Sequence, residues 1–162
     1  MAGSQESASI GDFSLAASTG QTLGLDSFRG KVPLVIVFLD LESAKDRDFL
    51  GALGSHHRDF GHERSQILAV ARATARETRQ TADDMGLSIP VLADASGAMA
   101  RDYDAEVDGK TLRVAVVADR EGRLVRRFDP LRIDDDPTGV IEALLYTVRA
   151  IGSGTLADIN ED

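Results

Sequence analysis

Pro33 to Leu39, in the segment VPLVIVFLD, is an apolar run without a single polar side chain. Successive residues of a β-strand point to opposite faces, so a run that is apolar at every position predicts a strand buried on both sides. Such a strand belongs inside a sheet that is covered above and below. The run falls far short of the roughly 20 apolar residues a membrane-spanning helix needs. Directly after it the period changes. Phe49, Leu50, Leu53, His57 and Phe60 recur at helical spacing, which predicts a helix from Ser43, as its N-cap, to Phe60. Gly51 and Gly54 lie inside that helix, where each costs up to about 1 kcal/mol relative to alanine, so close packing or a bend is expected. A buried strand that runs straight into a helix is a junction at which many α/β proteins hold their chemistry. Here the junction reads DLESAKDR, without cysteine, histidine or a glycine loop.

The rest of the chain supplies the cover. DFSLA (12–16) and QTLGL (21–25), separated by ASTG, read as a hairpin. QILAVARA (66–73) is a second buried strand, and the Thr74–Glu77 capping box opens a helix that runs to about Met85 and stops at Gly86. IPVLAD (89–94) is a third strand, followed by a short helix over 96–103. TLRVAVVAD (111–119) and LVRRFD (124–129) flank the turn REGR and form a second hairpin. Asp136 caps a last helix with Pro137 in its first turn, an apolar face of Val140, Ile141, Leu144, Leu145, Val148 and Ile151, and Gly152 as its stop. Strands alternating with helices and closing on a hairpin predict an α/β fold with a mixed central sheet and helices on both faces. The expected organisation is one domain over 11–152, with a polar tail at 1–10 and an acidic tail at 153–162.

Charge narrows the partners. The net charge of −9 argues against non-specific binding to nucleic acid or to an anionic membrane, both of which need a cationic surface. Lys31, Lys45 and Lys110 are the only lysines among 18 basic residues, set against 27 acids. Few lysines with many aspartates fit salt adaptation, and a GC-rich codon bias accounts for them as well. MAGSQESAS lacks the basic and apolar regions of a signal peptide, so a cytoplasmic location is expected. The sequence contains no cysteine. Disulfides, thiolate metal sites and thiol chemistry are therefore excluded.

Three strings in this order, GDFSL with GQTLGLDSFRGKVPLVIVF, GLSIPVLADASGAMARDYDAE, and LRVAVVADREGRLVRRFD, resemble the peroxiredoxins. These are the alkyl hydroperoxide reductase/thiol-specific antioxidant (AhpC/TSA) family, a branch of the thioredoxin fold, and the bacterioferritin-comigratory type is the nearest in kind. The resemblance implies a thioredoxin-like mixed sheet with an N-terminal β-hairpin. It also implies a Pro-x-x-x-Thr-x-x-Cys motif at the strand-to-helix junction and an arginine from a later strand that lowers the pKa of the cysteine thiol. Counted from Phe38, those motif positions fall on Asp40, Ala44 and Arg47, and the arginine matches Arg113, with Asp119 and Gly122 following it. Aligned instead with the Cys-x-x-Cys of thiol reductants, the two cysteine positions become Ser43 and Asp46. Neither register supplies a thiol, a Ser43 hydroxyl has no base nearby in sequence, and Arg47 stays protonated. No catalytic residue is therefore expected.

Arg113 has two readings. It pairs with an acid of the junction, Asp40, Glu42 or Asp46, which is the favoured one because a partly buried arginine is costly unless paired. Alternatively it contacts a ligand, with Arg47 as the second candidate. The histidines at 56, 57 and 62, near Glu63, lack the i, i+4 spacing of helical metal ligands, and the acidic loop DPLRIDDDP (129–137) lacks the pattern of a calcium loop. No metal and no cofactor are expected. The implied function is a redoxin-domain protein without its peroxidatic and resolving cysteines, acting by binding, regulation or scaffolding as a homodimer or with an unidentified protein partner. The alternative is an enzyme of another class that uses an Arg47/Arg113/Asp46 pocket on a small anionic ligand.

Overall fold

A computed structural model describes residues 8–153. The chain folds in the order β1 (Ser14–Ala16), β2 (Thr22–Gly24), a 3-10 turn (Leu25–Ser27), β3 (Leu34–Leu39), α1 (Ala44–Ser55), α2 (His57–His62), β4 (Gln66–Ala71), α3 (Ala75–Met85), β5 (Val91–Ala93), α4 (Ala98–Asp102), β6 (Glu106–Val107), β7 (Lys110–Thr111), β8 (Val114–Ala118), β9 (Leu124–Phe128) and α5 (Pro137–Ser153). The main sheet has the order β5-β4-β3-β8-β9. β3 lies at its centre, parallel to β4 and antiparallel to β8.

All six residues of β3 are buried, and they alternate between two cores. Val35, Val37 and Leu39 face Phe49, Leu50 and Leu53 of α1, Phe60 of α2, and Ile141, Leu144 and Val148 of α5. Leu34, Ile36 and Phe38 face the other way, onto Leu25, Met99, Ala100 and Tyr103. Each fully buried aliphatic or aromatic side chain contributes about 1.5–3 kcal/mol, which is why the apolar run at 33–39 organises everything around it. Cover is unevenly shared. The long helices α1 and α5 pack on one face, while the N-terminal hairpin and the short α4 supply the other.

Several boundaries differ from the sequence reading. The helix expected over Ser43–Phe60 breaks at His56 (φ −100°, ψ 8°) into α1 and α2. Local groups take carbonyls that an unbroken helix would give to residues four further on: Ser55 Oγ donates to Ala52 O, His56 N–H to Leu53 O, and His57 Nδ1 lies 3.0 Å from Gly54 O. Gly51 and Gly54 approach Met85 Cε and Leu87 Cδ2, the end of α3 and the residue just past its cap. Gly86, in the left-handed region at φ 61°, ends α3 as expected. Thr111 is not the start of β8, which begins at Val114; it pairs with Glu106, and Lys110 with Val107, in a small separate ladder. Asp136 Oδ1 accepts the Gly139 N–H, and α5 runs through Gly152 to Ser153. Part of the expected N-terminal tail belongs to the fold, because Ser9 bridges Arg123, Leu124 N–H donates to Ala8 O, and Ile10 is buried. Residues 1–7 and 154–162, which hold the rest of the two expected tails, lie outside the described residues.

Candidate functional site: the β3–α1 junction

Antiparallel pairing places Val114 opposite Phe38. The next position outward on each strand brings Arg113 beside Leu39, the last residue of β3, at the mouth of the junction. Ser43 caps α1 by accepting the Asp46 N–H at 3.3 Å, which sets Asp46 in the first helical turn. An acid there also lies favourably toward the positive end of the helix dipole. Its side chain turns inward and is 1% exposed.

That carboxylate is fully engaged. Oδ2 accepts the Asp40 N–H at 2.8 Å, and Oδ1 accepts Arg113 Nε at 2.7 Å with Arg113 Nη2 2.6 Å away. The other edge of the guanidinium is held by Asp134, whose Oδ2 lies 2.8 Å from Nη1. Asp134 also pairs with Lys45 Nζ at 3.6 Å. The loop that carries Asp134 is tied back to the same arginine, because Leu131 N–H donates to Arg113 O. Arg113 thus sits between two carboxylates at the end of the sheet.

Electrostatics follow from that placement. The hydrogen bond to Asp46 raises the Arg113 pKa above its already high ordinary value, burial opposes this, and Asp134 adds to the rise. The Arg113 hydrogen bond in turn holds the Asp134 carboxyl below the usual carboxylate range, with smaller help from Lys45. An arginine locked in its charged form and accepting nothing has no proton to exchange. Asp46 is closed to solvent and has its oxygens occupied, so it cannot reach an external substrate as a base.

The remaining predicted residues disperse. Of the three junction acids considered for Arg113, Asp46 is the one that meets it. Asp40 is exposed and its Oδ1 accepts the Glu42 N–H. Ala44 is exposed in the first turn of α1. Arg47 Nη1 donates to Leu41 O at 2.7 Å and does not line the 500 Å³ cavity that Arg113 shares with Thr111, Asp129, Pro130 and Asp134. The expected grouping of Arg47 with Arg113 and Asp46 is therefore reduced to Arg113 and Asp46. Sequence reasoning missed Asp134, which it treated as one of several acids in a loop. No local pattern marks it, since its partner lies 21 residues back.

Elsewhere the charged motifs are held locally. His56 Nδ1 lies 2.8 Å from Asp59, and no group of three or more potential metal-ligating side chains converges among the described residues. Arg72 reaches Gly109 O and Glu106, and Arg127 reaches Tyr103 O, Asp104 O and Asp129. No helix among the described residues is long and apolar enough to cross a membrane.

Comparison with known proteins places this architecture. Residues 7–127 match the AhpC/TSA family. Among solved structures, the peroxidoxin BcpB of Mycobacterium tuberculosis superposes with a TM-score of 0.79 at 19% identity, covering 90% of this chain and 97% of that one. The bacterioferritin comigratory protein of Xanthomonas campestris gives 0.76 at 20% identity, covering 86% and 92%. The 2-Cys peroxiredoxin of Plasmodium vivax gives 0.75 at 17% identity, covering 90% and 80%. No curated protein sequence matches the chain at a significant level. The matched span, the strand order and the junction at the end of β3 together make this chain a cysteine-less member of the AhpC/TSA family.

Proposed function

We propose that the protein is a redoxin-domain protein that acts by binding, in a regulatory or scaffold role, and reduces no peroxide through a thiol. One observation carries this reading: Arg113, which the resemblance sets beside the cysteine thiolate, is held here by the buried Asp46 carboxylate, one residue before the Arg47 that stands at the motif's cysteine position. The carboxylate keeps the negative charge that the arginine requires. It lacks the chemistry, because peroxide reduction needs a soft nucleophile that takes up an oxygen atom and is afterwards reduced again. With no thiol in the sequence, the junction keeps a charge pair and has no thiol redox chemistry.

The test is peroxide turnover by purified, metal-free protein with a thioredoxin-type donor. The expected rate equals that of buffer, and sustained turnover would sink the proposal. In the same reading the protein works as a homodimer or with another protein. A monomer by light scattering at micromolar concentration would remove the homodimer. The alternative, an enzyme of another class acting on a small anion at Arg113, is less well supported, since both edges of that guanidinium are already occupied. A thermal shift with a small anion that disappears in Arg113→Ala would favour it.

A further inference from the structure

The opposite end of the main sheet carries a second charged cavity, of about 640 Å³. Lys31 lies just before β3, Arg64 between α2 and β4, and Arg120 just after β8, and the three line this one space. A strand of six residues separates it from the Arg113 junction, roughly 20 Å along the sheet.

The lining also includes Glu63, Asp119 and Glu121, but these answer to two other cations, Arg149 and Arg123. Glu63 pairs with Arg149 at 3.0 Å. Asp119 accepts Arg123 Nε at 3.2 Å together with the backbone N–H groups of Glu121 and Arg123. Glu121 lies 3.5 Å from Arg123 Nη2. Among the described residues, the side chains of Lys31, Arg64 and Arg120 make no hydrogen bond or ion pair. Isolated surface cations are ordinary. Three from three separate connections, meeting in one cavity of a chain with net charge −9, are not. Arg64 also sits in the left-handed region at φ 56°, a conformation that glycine adopts without the steric cost an arginine bears.

We propose that this cavity binds a small multivalent oxyanion, of the phosphate, pyrophosphate or polycarboxylate class. The two guanidinium forks match paired oxygens, and the lysine adds a point charge. This site is independent of the peroxide reading, and the two tests fail separately.

Inorganic pyrophosphate is the probe. Any salt screens an acidic protein, so the reference is sodium chloride at equal sodium concentration and ionic strength. At pyrophosphate tenfold above its dissociation constant, the Tm should rise by about 3–6 °C beyond the chloride reference. Arg64→Gly removes one fork while relieving the positive φ, so lost binding there cannot be ascribed to a damaged fold. Together with Arg120→Gln it should weaken pyrophosphate binding at least tenfold by titration calorimetry. No response beyond chloride in the wild type overturns the proposal, and so does an undiminished response in the double variant. A response seen only after Asp158→Asn, Glu161→Gln and Asp162→Asn would overturn a free-ligand site in favour of the chain's own carboxylates.

Discussion

Asp46→Ala tests the junction most directly. The substitution deletes a carboxylate that is 1% exposed, accepts the Asp40 N–H and bonds the Arg113 guanidinium. Removing one partner of a buried ion pair costs about 3–5 kcal/mol. Two features lower that figure here: Arg113 keeps Asp134 at 2.8 Å, and its side chain is 28% exposed, so water reaches it. The expected loss is therefore about 2–3 kcal/mol, or roughly 4–12 °C in Tm for a chain of this size. Asp46→Asn keeps the shape and removes the charge, so it separates the ion pair from packing. Arg113→Ala with Asp46→Ala completes a double-mutant cycle, with an expected coupling of about 1–2 kcal/mol. The sequence has no tryptophan, so urea unfolding is best followed by far-UV circular dichroism at fixed salt, with equal m-values as the check on two-state behaviour. Asp48→Ala, an exposed acid two positions along α1, is the reference and should lie within about 0.5 kcal/mol of wild type. If Asp46→Ala costs no more than Asp48→Ala, or if the cycle is additive, the Asp46–Arg113 pair does not hold the junction.

Two further outcomes follow from the packing. Burial first, then the nearby charges of Asp12 and Asp102, raise the Tyr103 phenol pKa above its ordinary value of 10.0. The neutral form is the one the fold favours, so the stability Tyr103 confers is complete below pH 10 and is lost as pH rises toward the folded-state value. In a Tyr146→Phe background, ultraviolet titration should show tyrosinate appearing only together with alkaline unfolding, and a phenol ionising near pH 10 in the intact fold would contradict this. Gly54→Ala should stabilise by up to about 1 kcal/mol in urea unfolding, because the added methyl meets Leu87 Cδ2 at 3.4 Å, an ordinary contact, while α1 gains helix propensity. Destabilisation by more than about 1 kcal/mol would mean that the glycine is required for the approach.

Much of the fold was legible in the chain because the governing signals are short-range. The apolar run at 33–39 required a doubly covered strand, and β3 is buried throughout. The Thr74–Glu77 capping box opens α3 with both reciprocal bonds present. The misreadings came where groups close in sequence compete for the same backbone. His56 breaks a helix whose apolar spacing alone looked continuous, and Thr111 leaves one strand pattern to pair with Glu106, only a few residues back.

By itself the sequence determined that no thiol chemistry is available, that the centre is a doubly covered sheet, and that the strand-to-helix junction carries acids in place of a nucleophile. Those conclusions rest on composition and on periods of two and 3.6 residues, which a linear string contains in full. Which acid meets Arg113 was decided only in three dimensions. The β3–β8 register brings residue 113 beside residue 39, the Ser43 cap rotates Asp46 inward, and a loop bonded through Leu131 delivers Asp134. The Ser43 cap is local, but the strand register and the Leu131 contact join segments distant in the chain, and the energy of burying a charge selects among the acids by geometry that spacing along the sequence does not encode.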